Sequence, residues 1–189
     1  ERKNMQREVQ AFITKELGIL GMNTSKHELI EIAKSKNIRY RETPRTITLK
    51  NEDKSNMVYF IFSDSLSEII MVDLCCTELE ALIIDDEQYT ADYLKKELQW
   101  SHQMKCSYKN AWVPLNNKMD ANCSTGIQCA VCSNAGSIKH EAFIGESIIT
   151  YVDFGDNTDN QMFCIENFYG KHVNYRKIQR EDSYYMKSH

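Results

Sequence analysis

Ile148-Ile149-Thr150-Tyr151-Val152-Asp153-Phe154-Gly155-Asp156 is the stretch on which the fold turns. Its first five residues are all β-branched or aromatic, and the run breaks at Asp153-Phe154-Gly155-Asp156. That pattern predicts a strand over 147–153 that ends in a turn. Strand alternation puts Val152 and Phe154 on one face and Tyr151 and Asp153 on the other. Outward from this strand, short apolar runs separated by Asn, Asp, Gly and Ser predict further strands at 111–115, 128–132 and 161–165. Upstream, 57–62 and 68–74 read the same way, while 79–84 is apolar and ambiguous between helix and strand. Segment 92–104 predicts a helix with Tyr93, Leu94, Leu98 and Trp100 on its buried side, and the acids at 85–87 are expected to cap it.

The N-terminal part follows a different rhythm. Val9, Phe12, Ile13 and Leu17 recur at helical spacing, so 4–17 predicts an amphipathic helix. Gly18 and Gly21 interrupt it. Thr24 or Ser25 caps a second helix, with Glu28 three residues past Ser25 as a capping-box partner. Short strands follow at 38–41 and 46–49, joined by a turn at Thr43-Pro44. The polar run 51–56 marks a boundary, which divides the chain into a small unit over 1–56 and a larger one over 57–189.

Composition excludes several classes. The chain has 189 residues, with 42% hydrophobic and 26% charged residues and only 2 prolines and 7 glycines. It can therefore bury a core and is not a low-complexity linker. No apolar run reaches the roughly 18–20 residues that span a bilayer, and residues 1–10 carry no apolar signal core. The 7 cysteines are an odd number, cluster between Cys75 and Cys164, and include the adjacent pair Cys75-Cys76. They read as reduced thiols, which implies a cytoplasmic setting. Charge is uneven: residues 1–57 hold 12 Lys+Arg against 8 Asp+Glu, and residues 58–104 hold 2 against 10. The first segment can face nucleic acid and the second a basic partner.

Three runs in the N-terminal part carry a resemblance: His27-Glu28-Leu29-Ile30-Glu31-Ile32-Ala33, Ile38-Arg39-Tyr40-Arg41 and Arg45-Thr46-Ile47-Thr48-Leu49. Together they resemble the small domain named for its Arg-x3-His signature, whose members bind single-stranded nucleic acid. Asn23 stands where that signature has its arginine. The resemblance implies an RNA-contacting face made of Lys26, His27, Arg39, Tyr40, Arg41 and Arg45. Forked guanidinium donors suit phosphate, and a tyrosine ring can stack on a base.

The stretch from Ile148 to Asp156, with its Val152-Asp153-Phe154-Gly155 core, resembles the signature strand of Tudor and extended Tudor domains. The resemblance extends over residues 58–189. It implies a small β-barrel whose aromatic rings gather at one mouth and bind an arginine-rich or methylarginine tail by cation–π attraction. The partner-binding residues it implies are Trp112, Tyr151, Phe154, Asp156 and Phe163. Gln128-Cys129-Ala130 stands where the family carries an aromatic-Arg-Ala sequence, which points to a cage that serves contacts independent of methylation.

Two further chemistries stay open. Cys129-x2-Cys132 has zinc-knuckle spacing, and Cys106, Cys123, His102 and His140 are candidates to complete a zinc-binding, nucleic-acid-binding module. The same cysteines fit a strand with small inward-packing side chains. Asp153 and Asp156 are candidate metal ligands of a nuclease. No phosphate loop, His-Glu-x2-His motif or nucleophile elbow is present. The sequence therefore predicts an α+β protein: a helix–helix–strand–strand module followed by a β-rich Tudor-like barrel with a helix near 90–104. The function it points to is a non-catalytic, RNA-associated adaptor with no cofactor, in an RNA-processing or RNA-silencing assembly such as a ribonucleoprotein granule. Its expected partners are RNA and a protein with an arginine-rich or methylated tail, with no membrane.

Overall fold

The computed structural model describes residues 8–50, 57–75, 79–100, 102–108, 111–114, 138–153 and 162–167. The chain opens with strand β1 (Val9–Thr14) and β2 (Gly18–Gly21), then helix α1 (Lys26–Ser35). Strands β3 (Arg39–Thr43), β4 (Thr46–Lys50), β5 (Met57–Phe62), β6 (Ile69–Cys75), β7 (Leu79–Ile84) and β8 (Glu87–Thr90) lead to helix α2 (Ala91–Glu97). Strands β9 (His102–Tyr108), β10 (Ala111–Pro114), β11 (Ile138–Ile144), β12 (Ser147–Asp153) and β13 (Met162–Asn167) complete the described elements.

These strands form two open antiparallel sheets. The smaller has the order β2-β1-β7-β8, and the larger the order β10-β9-β11-β12-β13-β6-β5-β4-β3. Both contribute to one apolar core. Val9, Phe12, Leu20, Leu82 and Ile84 of the small sheet cluster with Ile47, Val58, Phe60, Phe62, Leu74, Ile149 and Phe163 of the large one. The rings of Phe12 and Phe60 lie 6.2 Å apart.

The expected α+β arrangement of a helix–helix–strand–strand unit and a barrel is therefore corrected. The described residues are mostly β, and their sheets do not close into a barrel. Of the segment read as a first helix, the described residues 8–17 form β1 and the turn that leads, through Gly18 with φ +66°, into β2. Val9, Phe12, Ile13 and Thr14 favour extended backbone, and β1 is hydrogen-bonded on both sides, to β2 and β7. Ala11, Phe12 and Ile13 keep continuous register with β7 and so alternate between the two faces, yet all three are buried; both faces of β1 are covered, and the consecutive buried residues mimic a helical stripe. The β3–β4 hairpin, expected to complete a separate small unit, joins the large sheet through β4 and β5.

The second expected helix forms as α1. Ser25 is its N-cap, with the side chain accepting from Glu28 N at 3.1 Å. It ends at Asn37, which takes φ 55°, while Ile38 N donates to Ala33 O at 2.9 Å. The helix expected over 92–104 is shorter. Leu98 leaves helical geometry with ψ 131°, and residues from His102 onward are drawn into β9 by pairing with β11. The acids expected to cap it do not: Asp85 and Asp86 form the two-residue turn of the β7–β8 hairpin, both at positive φ, and the cap is Thr90. Among the described residues no helix is long and apolar enough to cross a membrane.

Candidate functional site

Strand pairing decides the site. His140 on β11 faces Tyr151 on β12, and Tyr151 faces Phe163 on β13. Side chains of directly opposed residues share one face of a sheet, so the three rings form a row. His140 and Tyr151 stack at 5.6 Å with 17° between their planes, and Tyr151 and Phe163 lie 5.0 Å apart. Phe163 is wholly buried and anchors the row in the core, while Tyr151 and His140 are half-buried.

Helix α2 brings the remaining pieces. Thr90 caps it by accepting from Tyr93 N at 3.2 Å, and Ala91 and Leu94 are its buried residues. Lys95 follows Leu94, and its Nζ lies 5.6 Å from the centre of the Tyr151 ring, within cation–π range. Once the helix has ended, the indole of Trp100 donates to Lys95 O at 3.4 Å. Its ring lies 5.7 Å from His140 and 6.1 Å from Tyr151.

Electrostatics favour a cation. Asp153 stands two residues beyond Tyr151 on the same strand face. Burial, helped by the Asp153 carboxylate, pushes the Tyr151 phenol above its ordinary value. Burial holds the His140 imidazole below its ordinary value, with Asp153 opposing that shift. At neutral pH the row is therefore three uncharged rings beside a carboxylate. His140 Nδ1 is buried with no hydrogen-bond partner among the described residues.

The expected site residues fall into three groups. Tyr151 and Phe163 meet on one face of the large sheet. Trp112 lies on β10, the outer edge strand, paired with Cys106 on β9, three strands from β12. Phe154 and Asp156 lie outside the described residues, as do Cys123, Cys129 and Cys132. Among the described residues no group of three His, Cys, Asp or Glu side chains is placed to hold a metal ion. Trp100, His140 and Lys95 are the additions. Sequence spacing placed Trp100 on a helix and His140 among zinc candidates; only the register sets His140 against Tyr151, and only the packing of the segment after α2 brings Trp100 to it.

The basic residues divide as well. Lys26 Nζ donates to Thr43 O at 2.7 Å and pairs with Glu42 at 3.3 Å. Arg45 pairs with Asp64 at 3.1 Å and donates to Phe62 O at 3.1 Å. These two hold the β3–β4 hairpin in place. Arg39 and Arg41 are exposed on β3, the edge strand, and alternate onto one face. Tyr40 turns the other way and packs against the core, and His27 is exposed on α1.

The opposite face of the large sheet is also buried and carries a polar row. Glu141, Thr150, Cys164, Asp73 and Tyr59 oppose one another in turn across β11, β12, β13, β6 and β5. Glu166 follows two residues after Cys164, and Lys139 pairs with Glu141 at 3.0 Å, each side chain only 3% exposed. Removing one partner of such a pair strands a buried charge, whereas replacing both with apolar groups is tolerated far better.

No protein-family model, no curated protein and no solved structure matches the chain.

Proposed function

We propose that this chain is a non-catalytic adaptor that grips a cationic side chain of a protein partner at Trp100, His140 and Tyr151, backed from the core by the buried ring of Phe163. The observation that carries the reading is the ring row with Asp153 two residues from Tyr151 on the same strand face and a cation, Lys95, already over Tyr151. Ring faces attract a cation through their quadrupole, and a nearby carboxylate adds charge and hydrogen-bond acceptors. An arginine-rich or methylarginine tail has that chemistry. The reading keeps the ring-and-cation chemistry that the Tudor resemblance implied, on an open sheet. Exposed Arg39 and Arg41 support a second contact, to RNA phosphates, along the β3 edge. The setting in RNA processing or silencing comes from the two resemblances.

The test is calorimetric titration of the full chain with a glycine–arginine repeat peptide, unmethylated and dimethylated. Saturable binding is expected, weakened about tenfold by Tyr151→Leu and several-fold by Asp153→Asn. Both variants should keep the wild-type circular dichroism spectrum. Absence of saturable binding to either peptide overturns the reading.

A further inference from the structure

Lys95 occupies the position that an external cation would take. We propose that it is a resident, intramolecular ligand of the aromatic site, and that a partner's cation enters by displacing it. This inference rests on the reading above and adds to it a rule of selectivity. Lys95 and Trp100 belong to one short segment, tied by the indole-to-carbonyl hydrogen bond of 3.4 Å. Both reach the same ring: Lys95 Nζ at 5.6 Å and the Trp100 ring at 6.1 Å from Tyr151. The segment is otherwise rooted on the small sheet, where α2 buries Ala91 and Leu94. The site is thus assembled from the large sheet and from a strap that arrives with its own cation.

The identity of that cation sets what can replace it. A primary ammonium is compact and strongly hydrated, so its hold on a half-buried ring is weak. A guanidinium is planar and more weakly hydrated, stacks on ring faces and reaches a carboxylate with two donors. Methylation keeps the charge but blocks the two-donor contact, so a methylated arginine holds by stacking on the ring face. The partner side chain selected over Lys95 is therefore arginine or a methylated arginine. A lysine from a partner gains nothing over the lysine already there, and it lacks the advantage of being tethered.

The experiment compares wild type, Lys95→Gln and Lys95→Arg in calorimetric titrations with three peptides. These are the glycine–arginine repeat, its dimethylated form, and a glycine–lysine repeat. Lys95→Gln should bind both arginine peptides about three- to tenfold more tightly than wild type. Lys95→Arg should bind them more weakly, and the lysine peptide should bind wild type least. In the free wild-type protein, the side-chain methylene protons nearest Lys95 Nζ should show an upfield ring-current shift that disappears on adding arginine peptide. Equal affinities for wild type and Lys95→Gln, with binding still lost in Tyr151→Leu, would overturn self-occupancy and leave the adaptor reading standing. Lys95 protons that are unshifted in the free protein would overturn it independently of any peptide. Failure of all three proteins to bind any peptide would remove both.

Discussion

Glu166 sits in the buried face of the large sheet with one carboxylate oxygen accepting from the Cys164 thiol at 3.9 Å and the other without a hydrogen-bond partner among the described residues. Burial raises its carboxyl to about 8, with Lys139 opposing the shift and Glu141 adding to it. The folded state therefore holds this proton more tightly than the unfolded chain, whose carboxyl has the ordinary value of 4.5. Between these two values the folded state binds more protons, so stability falls as pH rises from 4.5 towards 8, and the full penalty is present above 8. Glu166→Gln should leave the melting temperature nearly unchanged at pH 5 and raise it by about 5 °C at pH 9. Circular dichroism melts at the two pH values check this, and equal effects at both would mean that ionisation of Glu166 is not what changes. His140 acts in the other direction. Its imidazole is held below 6.5, so its contribution to stability is present above 6.5 and is lost as pH falls through and below that value. The same protonation puts a positive charge beside the site proposed to bind a cation. Peptide affinity should therefore fall on acidification, an outcome that titrations at pH 7.5 and 5 would read directly.

At the scale of elements, the two sheets are joined by a polar pin as well as by the shared core. Ser147 opens β12 opposite Asn167 at the end of β13, and their side chains are hydrogen-bonded to each other. Val9 N donates to Ser147 Oγ at 2.8 Å, and Asn167 Nδ2 donates to Val9 O at 3.0 Å. Ser147, Asn167 and Val9 are fully buried, so each lost partner leaves a desolvated group. Asn167→Ala should cost about 1–3 kcal/mol in urea unfolding. Amide exchange should quicken in β1 and its neighbours more than in β5 and β6, and uniform exchange would show that the pin does not hold β1 in place. The hairpin that β1 forms was not legible in the sequence. Its apolar residues fit helical spacing; only the pairing with β2 and β7 shows the segment to be a strand, and only the packing over both of its faces buries consecutive side chains. By contrast, α1 and β12 were legible. Ser25 with Glu28 states a cap locally, and the run from Ile148 to Val152 is bounded by its own turn.

For the whole molecule, the basic N-terminal charge resolves into residues with different work. Lys26 and Arg45 hold the β3–β4 hairpin through Glu42, Asp64 and backbone carbonyls. Arg39 and Arg41 face outward on the edge strand. If the RNA contact of the proposed adaptor lies there, Arg39→Gln/Arg41→Gln should weaken binding of single-stranded RNA. It should also flatten the slope of log affinity against log salt by about 1 to 1.5, with no loss of stability. Fluorescence anisotropy across a salt series measures both, and an unchanged slope would remove this face from the reading. Arg45→Gln should instead lower stability, because its guanidinium is tied to Phe62 O and Asp64.

Sequence by itself determined the features whose causes are local. These are the cap of α1, the extents of β5 and β12, and the placing of Tyr151 with Asp153 on one strand face. Tertiary structure decided the rest, because register and sheet order join residues far apart in the chain. Only pairing sets His140 beside Tyr151 and Tyr151 beside Phe163, and only the packing of α2 brings Lys95 and Trp100 onto that row. Two open sheets sharing a core, in place of a barrel and a separate small module, follow from the same physics. Alternation tells a strand which face each residue takes, and long-range pairing alone tells it which neighbour lies across.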